Sequence, residues 1–432
     1  MKIGFLLELS EEIRRAPFTG PANHVRQVFL GLRRLGCSVS LLCRLDGRLW
    51  FTDDLQEFRP VTVRKSDLGL WRVAERVLRR AQRWSGFPYL GFFESRRFMH
   101  ACLQELSNCD LYYERFNWMC YGGGLAAARA GIPLVLEYNG DPLDDLRARQ
   151  MAPAGIQGAI ARALAGRSLR GADHVVATGD GWRRNCIAAW RVPAERVSVV
   201  ENGTDLVEIL DRSALRAFRP SADAGRAPRV VYLGGFYPWH GVDKLLRAAA
   251  ALLRAGTHIT VTLIGSGSGE AAARSLTGAL GLENRVTFAG RLSAAEYAAV
   301  LADSDIGVSP YCGWQEYSGL KIFDYKAAGL ACVASGEGGR PSSIRHGRTG
   351  WIVPPCSESA LAEALALLAA DARLRRRLGR AARLEAERYH TWQHSVRQIM
   401  QILERVAADG RAAAGTLERT RLAGSRRMPD PA

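Results

Sequence analysis

The sequence predicts an α/β fold in which two Rossmann-like domains face each other across a cleft. Short apolar runs alternate with amphipathic helical patterns along most of the 432-residue chain, an order that is typical of parallel sheets covered by helices. The alternation is interrupted at 206–228, which ends in the run RPSADAGRAP and therefore predicts a linker. A second alternating series begins at Arg229. Two such series indicate two domains with a ligand cleft between them.

The predicted boundaries follow these patterns. We predict a first domain at 1–206, a linker at 207–228, a second domain at 229–390, a C-terminal helix at 391–408 and a disordered tail at 409–432. Strands of the first domain are predicted at 2–8, 38–44, 110–114, 133–138, 174–178 and 197–200, with a helix at 21–35. Strands of the second are predicted at 230–235, 259–265, 286–290, 305–311 and 331–335, with helices at 242–254, 270–280, 294–302 and 318–329. Two long helices are predicted at 357–378 and 380–408.

Composition limits the partners and the compartment. The formal net charge of +16 and the pI near 9.8 favour anionic partners such as nucleotides, phosphorylated substrates, anionic lipid surfaces or nucleic acid. The nine cysteines are scattered and contain no C-x-x-C pair, which predicts a reducing compartment without a disulfide framework or a zinc site. The start MKIGFLLELSEEIRR resembles a strand more than a signal peptide, and no apolar run reaches a membrane span. We therefore expect a soluble cytoplasmic protein.

A basic and aromatic stretch lies at 71–97, within LWRVAERVLRRAQRWSGFPYLGFFESRRFMH. Arginines and large aromatic residues on helical spacing are typical of a segment in a membrane interface or along a nucleic-acid backbone. The alternative is a solvated helix face with core aromatics beneath it. Because nothing else in the chain resembles a nucleic-acid module, we predict no nucleic-acid partner. The functional interpretation is contact with an anionic membrane surface.

The stretch WQEYSGLKIFDYKAAGLACV, at 314–333, combines a polar loop, a helix and a buried strand. The helix is predicted to end at Gly329. Glu316 lies just before the first turn and Asp324 lies two turns further on. The unpaired N–H groups at a helix start bind anions, so this stretch predicts a phosphate site.

Other candidates lie where strands end, because loops at the carboxyl ends of parallel strands carry ligand contacts. In the first domain these are Gly20 and His24 at the first helix start, Tyr113, Glu114, Arg115 and Asn117 in YYERFN, and Glu137, Asn139 and Asp141 in LEYNGD. The turn NGTD adds Asn202 to Asp205. A cap or turn role is an equal alternative for each of them. The run LIGSGSGE is set aside as a dinucleotide loop, because Glu270 stands where a third glycine is required and no carboxylate ends the next strand.

Several motifs together resemble retaining glycosyltransferases of family 4, which have the GT-B fold. EYSGLKIFDYKAAGLACVAS is similar to the family's E-x7-E segment, with Glu316 and Asp324 as the pair. The run GGFYPWHGVDKLLRA, at 234–248, resembles its sugar-nucleotide loop, and GRPSSIRHGRTGWIVPP resembles its hG-x-tG-x-x-vpp segment. TGPANHV and VVENGTD are similar to its first loop and its NG-x-D turn. The resemblance covers the chain to about Ala408.

The resemblance implies roles at matching positions. It implies that Asp324 holds the ribose hydroxyls, and that Glu316 and the N–H groups of Tyr317, Ser318, Gly319 and Leu320 face the donor sugar and its phosphate. Lys321 adds a cation there. Gly235 and His240 occupy the positions at which many relatives carry a diphosphate-binding Arg and Lys, and Arg115 stands where many have a histidine near the reacting sugar. The implied catalytic residues are therefore Glu316, Arg115 and Lys321, with Arg115 or Lys321 stabilising the charge of the departing diphosphate. Donor contacts thus include Gly235, His240 and Gly20, whereas His24, Glu137 and Asn139 are acceptor candidates of the first domain.

The implied activity is a hexosyl transfer with retention from a UDP- or GDP-linked sugar to a glycan, lipid-linked or other acceptor in cell-envelope or polysaccharide synthesis. No cofactor and no metal are expected, since the chain has no D-x-D constellation. A cytoplasmic protein, peripheral on the inner face of the plasma membrane, follows from the membrane interpretation. Two alternatives stay open: a nucleotide-sugar epimerase on the same fold, and a non-catalytic glycan- or lipid-binding relative, which the missing Arg and Lys favour.

Overall fold

The computed structural model describes residues 1–8, 13, 20–63, 69–85, 91–148, 152–219, 226–313, 319–338 and 340–425. The chain forms two compact units. The first contains Met1–Thr178, Trp182–Val200 and Val396–Ala432, and the second contains Gly179–Gly181 and Glu201–Ser395. The predicted linker thus belongs to the second unit. The physical reason is that Leu206, Leu210 and Leu215 are buried in a core of that unit.

The first unit contains a sheet of eight strands among the described residues, in the order β4-β3-β2-β1-β5-β6-β7-β8. Its strands are β1 (Lys2–Leu7), β2 (Ser38–Leu45), β3 (Arg48–Thr52), β4 (Arg59–Val61), β5 (Leu111–Arg115), β6 (Leu134–Tyr138), β7 (His174–Ala177) and β8 (Val197–Val199). The helices along this part of the chain are α1 (Gly20–Arg34), α2 (Gly69–Ser85), α3 (Phe92–Glu105), α4 (Gly122–Ala130), α5 (Pro142–Ala148), α6 (Gly155–Gly171) and α7 (Asp180–Trp190). The part β2-β1-β5-β6-β7-β8 is parallel, which confirms the predicted parallel sheet there.

The antiparallel pairing of β2 with β3 and of β3 with β4 was not predicted. Asp46 and Gly47 join β2 to β3, and both have positive φ angles, 50° and 73°. An Asp-Gly dipeptide between two apolar runs is a strong hairpin signal. This signal was available in the sequence.

The second unit contains a parallel sheet in the order β11-β10-β9-β12-β13-β14. Its strands are β9 (Arg229–Leu233), β10 (Thr260–Ile264), β11 (Val286–Gly290), β12 (Ile306–Ser309), β13 (Ala331–Ser335) and β14 (Trp351–Val353). Its helices are α8 (Leu206–Ile209), α9 (Val242–Arg254), α10 (Glu270–Ala279), α11 (Ala294–Ala302), α12 (Leu320–Ala327), α13 (Glu358–Ala370) and α14 (Ala372–Tyr389), and α15 (Trp392–Ser425) follows. This confirms the second Rossmann-like domain.

The C-terminal region differs from the prediction in two ways. Three helices replace the two predicted ones, because Asp371 ends α13 and caps α14 by accepting a hydrogen bond from the Leu374 N–H at 2.9 Å. Helix α15 continues to Ser425, into the segment that was predicted to be a disordered tail. Alanine, arginine and leucine make up nine of the 17 residues at 409–425, and all three are good helix formers. Residues 426–432 lie outside the described part of the chain.

The glycines of LIGSGSGE have a packing role. A Cβ on Gly265 would lie 2.0 Å from the Gly234 carbonyl oxygen, and one on Gly267 would lie 2.6 Å from the Phe236 nitrogen. The Gly269 N–H also donates to the Phe236 carbonyl at 2.7 Å. These glycines therefore let the loop after β10 pack closely on the loop after β9.

Candidate functional site

Helix α12 begins and ends close to where the sequence predicts. Gly319 precedes its first residue, Leu320, and Ile322, Phe323 and Ala327 are buried. The predicted site residues Glu316, Tyr317 and Ser318 lie outside the described residues. Their roles, and that of the N–H groups of Gly319 and Leu320, stay predictions.

Asp324 of α12 is held by a residue from the turn after β8. Its Oδ1 accepts a hydrogen bond from the Thr204 hydroxyl at 2.7 Å, and Thr204 is almost completely buried. Burial, the largest cause, and the nearby negative charge of Asp205 raise the pKa of Asp324, while the Thr204 hydrogen bond lowers it, and the result is a pKa of about 7. The carboxyl group is therefore poised to change charge near neutral pH.

Lys321 of α12 reaches the loop at 234–241, here called the glycine loop. Its Nζ lies 4.8 Å from the ring centre of Tyr232 and 4.5 Å from that of Tyr311. Nζ also donates to the Tyr311 hydroxyl at 3.4 Å. The side chain is buried, so the structure places an ammonium group between two aromatic rings beside the glycine loop.

His240 is a neutral part of the glycine loop. Its Nδ1 lies 2.6 Å from the Gly235 carbonyl oxygen, which requires the tautomer with a proton on Nδ1. Its Nε2 lies 3.2 Å from the Tyr311 hydroxyl. Burial and the charge of Lys321 lower the pKa of His240 to about 3. In this structure the ring is therefore uncharged at neutral pH.

The first unit brings together the candidates at the ends of β5 and β6. Glu137 Oε2 lies 2.7 Å from His24 Nε2 of α1, and the same carboxylate accepts hydrogen bonds from the Tyr113 hydroxyl and the Asn139 side-chain amide. Arg115 pairs in register with Glu137 and donates to the Pro21 carbonyl at 3.1 Å. His24, Arg115, Glu137 and Asn139 thus form one cluster, and Gly20 is the first residue of α1.

Glu137 is an ionised, internal member of this cluster. Burial alone would raise its pKa, but the charge and hydrogen bond of His24, the charge of Arg115 and the Tyr113 hydrogen bond outweigh burial and lower it to about 2. Its side chain is almost completely buried. Since both carboxylate oxygens of Glu137 already accept hydrogen bonds, this residue is suited to orienting His24 and Asn139.

Two members of these clusters, Tyr232 and Tyr311, were not predicted from the sequence. Tyr311 lies two residues after Ser309, the last residue of β12, so the rule that selected other strand ends would have found it. Tyr232 lies inside β9, where an aromatic residue is ordinarily part of the core. Its hydroxyl donates to the Gly235 carbonyl at 2.6 Å, a contact that depends on how the glycine loop folds back on the strand.

The expectation of no disulfide is wrong. Cys312 and Cys356 are bonded, although 44 positions separate them in the sequence. The bond joins the segment after β12 to the residues after β14, two strand ends on the same sheet. Spacing could not reveal this pair because sheet order brings the two cysteines together. Among the described residues, no three or more His, Cys, Asp or Glu side chains are grouped to hold a metal ion.

Helix α2 presents an apolar face to solvent. At 100° per residue, one face carries Leu70, Trp71, Val73, Val77, Leu78 and Trp84, and all six are exposed, Leu70 at 87% and Trp84 at 91%. The alternative of core aromatics beneath a solvated face therefore does not hold for α2. Across the described ranges, no helix is both apolar and long enough to span a bilayer.

Polar contacts attach α2 to α3. Glu75 accepts hydrogen bonds from Arg97 at 2.6 and 2.7 Å and from Arg79 at 2.6 Å, and Arg79 also pairs with Glu94. The Arg96 guanidinium lies 4.8 Å from the ring centre of Trp71. Arg79, Arg96 and Arg97 are thus engaged within the unit, whereas Arg72, Arg76 and Arg80 are exposed beside the apolar face.

Comparisons with known families agree with this arrangement. Residues 216–385 match the family model described as glycosyl transferases group 1, and residues 19–203 match the model described as glycosyl transferase 4-like domain. A D-inositol 3-phosphate glycosyltransferase of Nocardia farcinica (strain IFM 10152) is 28% identical over 305 residues, which cover 68% of this chain and 65% of the relative. A phosphatidyl-myo-inositol mannosyltransferase of Mycobacterium leprae (strain TN) is 30% identical over 50% of this chain and 58% of the relative. The chain therefore spans less than two thirds of the length of these relatives.

Solved structures share the fold. Sucrose-phosphate synthase from Thermosynechococcus elongatus superposes with a TM-score of 0.69 at 20% identity, covering 95% of this chain and all of that one. Anabaena HepE in complex with UDP-glucose superposes with a TM-score of 0.65 at 19% identity, covering 94% and 99% of the two chains. WaaG, a glycosyltransferase involved in lipopolysaccharide biosynthesis, gives a TM-score of 0.62 at 16% identity over 93% and 99%.

Proposed function

Because the chain belongs to the glycosyl transferases of group 1, with a glycosyl transferase 4-like N-terminal domain and the GT-B fold, we propose that it transfers a hexose from a nucleotide sugar to an acceptor with retention at the anomeric carbon. The proposal rests on the contacts of two charged residues of α12. Lys321 and Asp324 lie on the same helix and each reaches a different partner. Lys321 contacts Tyr232 and Tyr311 beside the glycine loop, and Asp324 contacts Thr204. A cation and a carboxylate one turn apart suit a phosphate and a ribose.

The donor side belongs to the second unit in this proposal. Asp324, when ionised, accepts hydrogen bonds from the ribose hydroxyls, and Lys321 binds the diphosphate. As that diphosphate departs, its charge increases, so a fixed ammonium stabilises the transition state more than the ground state. Glu316, Gly235, His240 and the N–H groups at 317–320 remain proposed donor contacts. UDP-glucose is bound by the related HepE structure, which supports a UDP-linked donor, with GDP as the alternative.

The acceptor side belongs to the first unit. Arg115 and Asn139 are partly exposed at the ends of β5 and β6, where they can reach an acceptor hydroxyl or phosphate. His24 and Glu137 support them from the interior. Inositol phosphate and phosphatidylinositol appear in the names of relatives, so we include phosphorylated and lipid-linked acceptors, together with glycans, in envelope or polysaccharide synthesis.

We also propose that α2 docks on an anionic membrane surface, at the inner face of the plasma membrane. Its exposed apolar face and flanking arginines match a helix that lies in a membrane interface. Such docking would bring the enzyme to lipid-linked acceptors. The formal net charge of +16 also attracts the protein to anionic lipid.

The test is transfer and donor hydrolysis with a panel of UDP- and GDP-sugars, with and without EDTA. We expect turnover that EDTA leaves unchanged and that falls by at least about tenfold in Asp324→Asn, the loss expected for one hydrogen bond to a charged group. Glu316→Ala tests the residue outside the described part of the chain. Unchanged turnover in both variants would contradict the site.

Product analysis separates the alternatives. Conversion of the donor sugar in acceptor-free buffer, followed by NMR, would identify an epimerase. Nucleotide binding by calorimetry without turnover on any acceptor would identify a non-catalytic relative. A single anomeric configuration shared by donor and product would support retention.

A further inference from the structure

The glycine loop lacks the cations that the family resemblance places in it. Gly235 has no side chain, and His240 is neutral because burial and Lys321 lower its pKa to about 3. A diphosphate carries at least two negative charges, and binding it in a partly buried site requires compensating charge. A cationic side chain from outside the glycine loop would supply that charge.

We propose that Lys321 supplies the charge that binds the donor diphosphate, and that Tyr311 is the positioning residue that holds the Lys321 ammonium against the glycine loop. The inference rests on the proposed function, because it concerns the same donor site. Tyr311 thereby has a role in the site, and α12 supplies the positive charge that Gly235 and His240 lack.

The position of Lys321 fits this role. A Cβ on Gly234 would lie 3.1 Å from Lys321 Nζ and 3.1 Å from the Tyr232 hydroxyl. Gly234 also has a φ of 149°, which side-chain residues rarely adopt. The Gly234 backbone therefore lies close to the ammonium, and a side chain at this position would crowd Nζ. An anion bound along this backbone would meet Nζ directly.

Tyr311 joins Lys321 to the glycine loop through a chain of hydrogen bonds. Its hydroxyl accepts from Lys321 Nζ at 3.4 Å and donates to His240 Nε2 at 3.2 Å. His240 Nδ1 then donates to the Gly235 carbonyl at 2.6 Å. Because the ring of Tyr311 also faces the ammonium at 4.5 Å, its hydroxyl and its ring both restrict where the charge lies.

Tyr311 is itself held by its neighbours. Pro310 packs on the glycine loop so closely that a Cβ on Gly241 would lie 1.8 Å from the Pro310 oxygen. The Cys312 N–H donates to the Trp239 carbonyl at 3.0 Å, and Cys312 is disulfide-bonded to Cys356. Both neighbours of Tyr311 are thus fastened, which is what a positioning residue requires.

The test compares nucleoside diphosphate with nucleoside. UDP and GDP binding is measured by calorimetry, and uridine or guanosine binding by NMR titration. In Lys321→Met, we expect diphosphate affinity to fall by about tenfold to a hundredfold, the range for losing a hydrogen-bonded charge, with nucleoside affinity unchanged. Lys321→Arg should recover much of the loss. Tyr311→Phe should lose about threefold to tenfold for the diphosphate alone.

Matched controls remove a charge or a hydroxyl elsewhere in the second unit. Arg254→Met and Tyr389→Phe change exposed side chains and should leave both affinities unchanged. Lys321→Met binding UDP or GDP as tightly as wild type would overturn the inference, as would equal losses for nucleoside and diphosphate. Wild type that binds neither diphosphate would instead overturn the proposed function. Melting curves show whether each variant is folded. If Lys321→Met is unfolded, Tyr311→Phe and Lys321→Arg still test the inference.

Discussion

At the scale of single residues, Asp324 should give donor use a pH dependence. Its pKa is raised to about 7, by burial first and by Asp205 second, and only the carboxylate accepts hydrogen bonds from both ribose hydroxyls. We therefore expect kcat/KM for the donor to rise by about tenfold between pH 6 and pH 8, as the group ionises. The measurement is the pH profile of kcat/KM with a saturating acceptor.

Two variants check the assignment to Asp324. Asp324→Asn should remove the pH dependence in this window, since the amide does not ionise. Thr204→Val should move the inflection to higher pH, because the Thr204 hydrogen bond holds the pKa of Asp324 down. A profile that is identical in Asp324→Asn and wild type would assign the inflection to another group.

Two buried carboxyls of the first unit, Glu8 and Glu114, should make its stability fall as pH rises. Burial raises the pKa of Glu8 to about 7 and that of Glu114 well above its ordinary value. Both groups ionise in the unfolded chain near pH 4.5 and stay protonated longer in the folded one, so stability is lost as pH increases from there. For Glu8 the loss by pH 8 is roughly 3 kcal/mol.

Glu114→Gln is the variant that tests this effect. Among the described residues, Glu114 Oε1 has no hydrogen-bond partner, so an isosteric amide removes the ionisable group with little other change. The loss of unfolding free energy between pH 5 and pH 8, measured by urea denaturation, should be smaller in the variant. Exposed Glu195→Gln is the control. An equal loss in Glu114→Gln and wild type would show that Glu114 is ionised in the folded chain.

At the scale of secondary-structure elements, α2 should determine membrane binding. Charge reversal of Arg72, Arg76 and Arg80 should weaken binding to phosphatidylglycerol vesicles by roughly 1 kcal/mol per arginine. Trp84→Ser should weaken binding further, since it removes apolar area from the exposed face. Vesicle co-sedimentation measures both effects. Arg79 is left intact because it pairs with Glu75 and Glu94.

The matched control reverses three exposed arginines of the second unit, Arg254, Arg373 and Arg377. It changes the net charge of the protein by the same amount without touching α2. If the control weakens vesicle binding as strongly as the α2 variant, net charge rather than this helix is responsible. Uncharged vesicles should bind both proteins weakly, because single apolar helices depend on the added attraction to anionic lipid.

At the scale of the whole molecule, the part of α15 from Val396 onward completes the first unit. Val396, Leu403 and Ala407 are buried, and a Cβ on Gly31 would lie 2.6 Å from Val396 Cγ2. Truncation would expose the apolar side chains that this helix covers. Exposing each large one lowers the free energy of unfolding by about 1.5–3 kcal/mol, against a typical stability of about 5–15 kcal/mol. A chain that ends after Ser395 should therefore aggregate, whereas one that ends after Ala412 should stay folded. Soluble yield and melting temperature measure the difference, and equal melting temperatures would contradict the packing role.

Local patterns were sufficient for most of the fold. Apolar periodicity located eleven strands to within two residues of their observed ends, and Gly329 marked the end of α12. These features depend on neighbours in the sequence, because side-chain spacing and turn chemistry are short-range. The same patterns also placed Asp324 and Lys321 on one helix.

Tertiary packing determined the rest, since it brings together residues that are far apart in the chain. Thr204 meets Asp324 across 120 positions, and Cys312 meets Cys356 across 44. No periodicity in the sequence encodes which strand lies beside which. For the same reason, burial on α2 could not be predicted, because an apolar stripe looks the same whether a core covers it or solvent does. The sequence indicated Lys321 as the cation of this site. Its position between Tyr232 and Tyr311, however, depends on the packing of β9, β12 and α12 against one another.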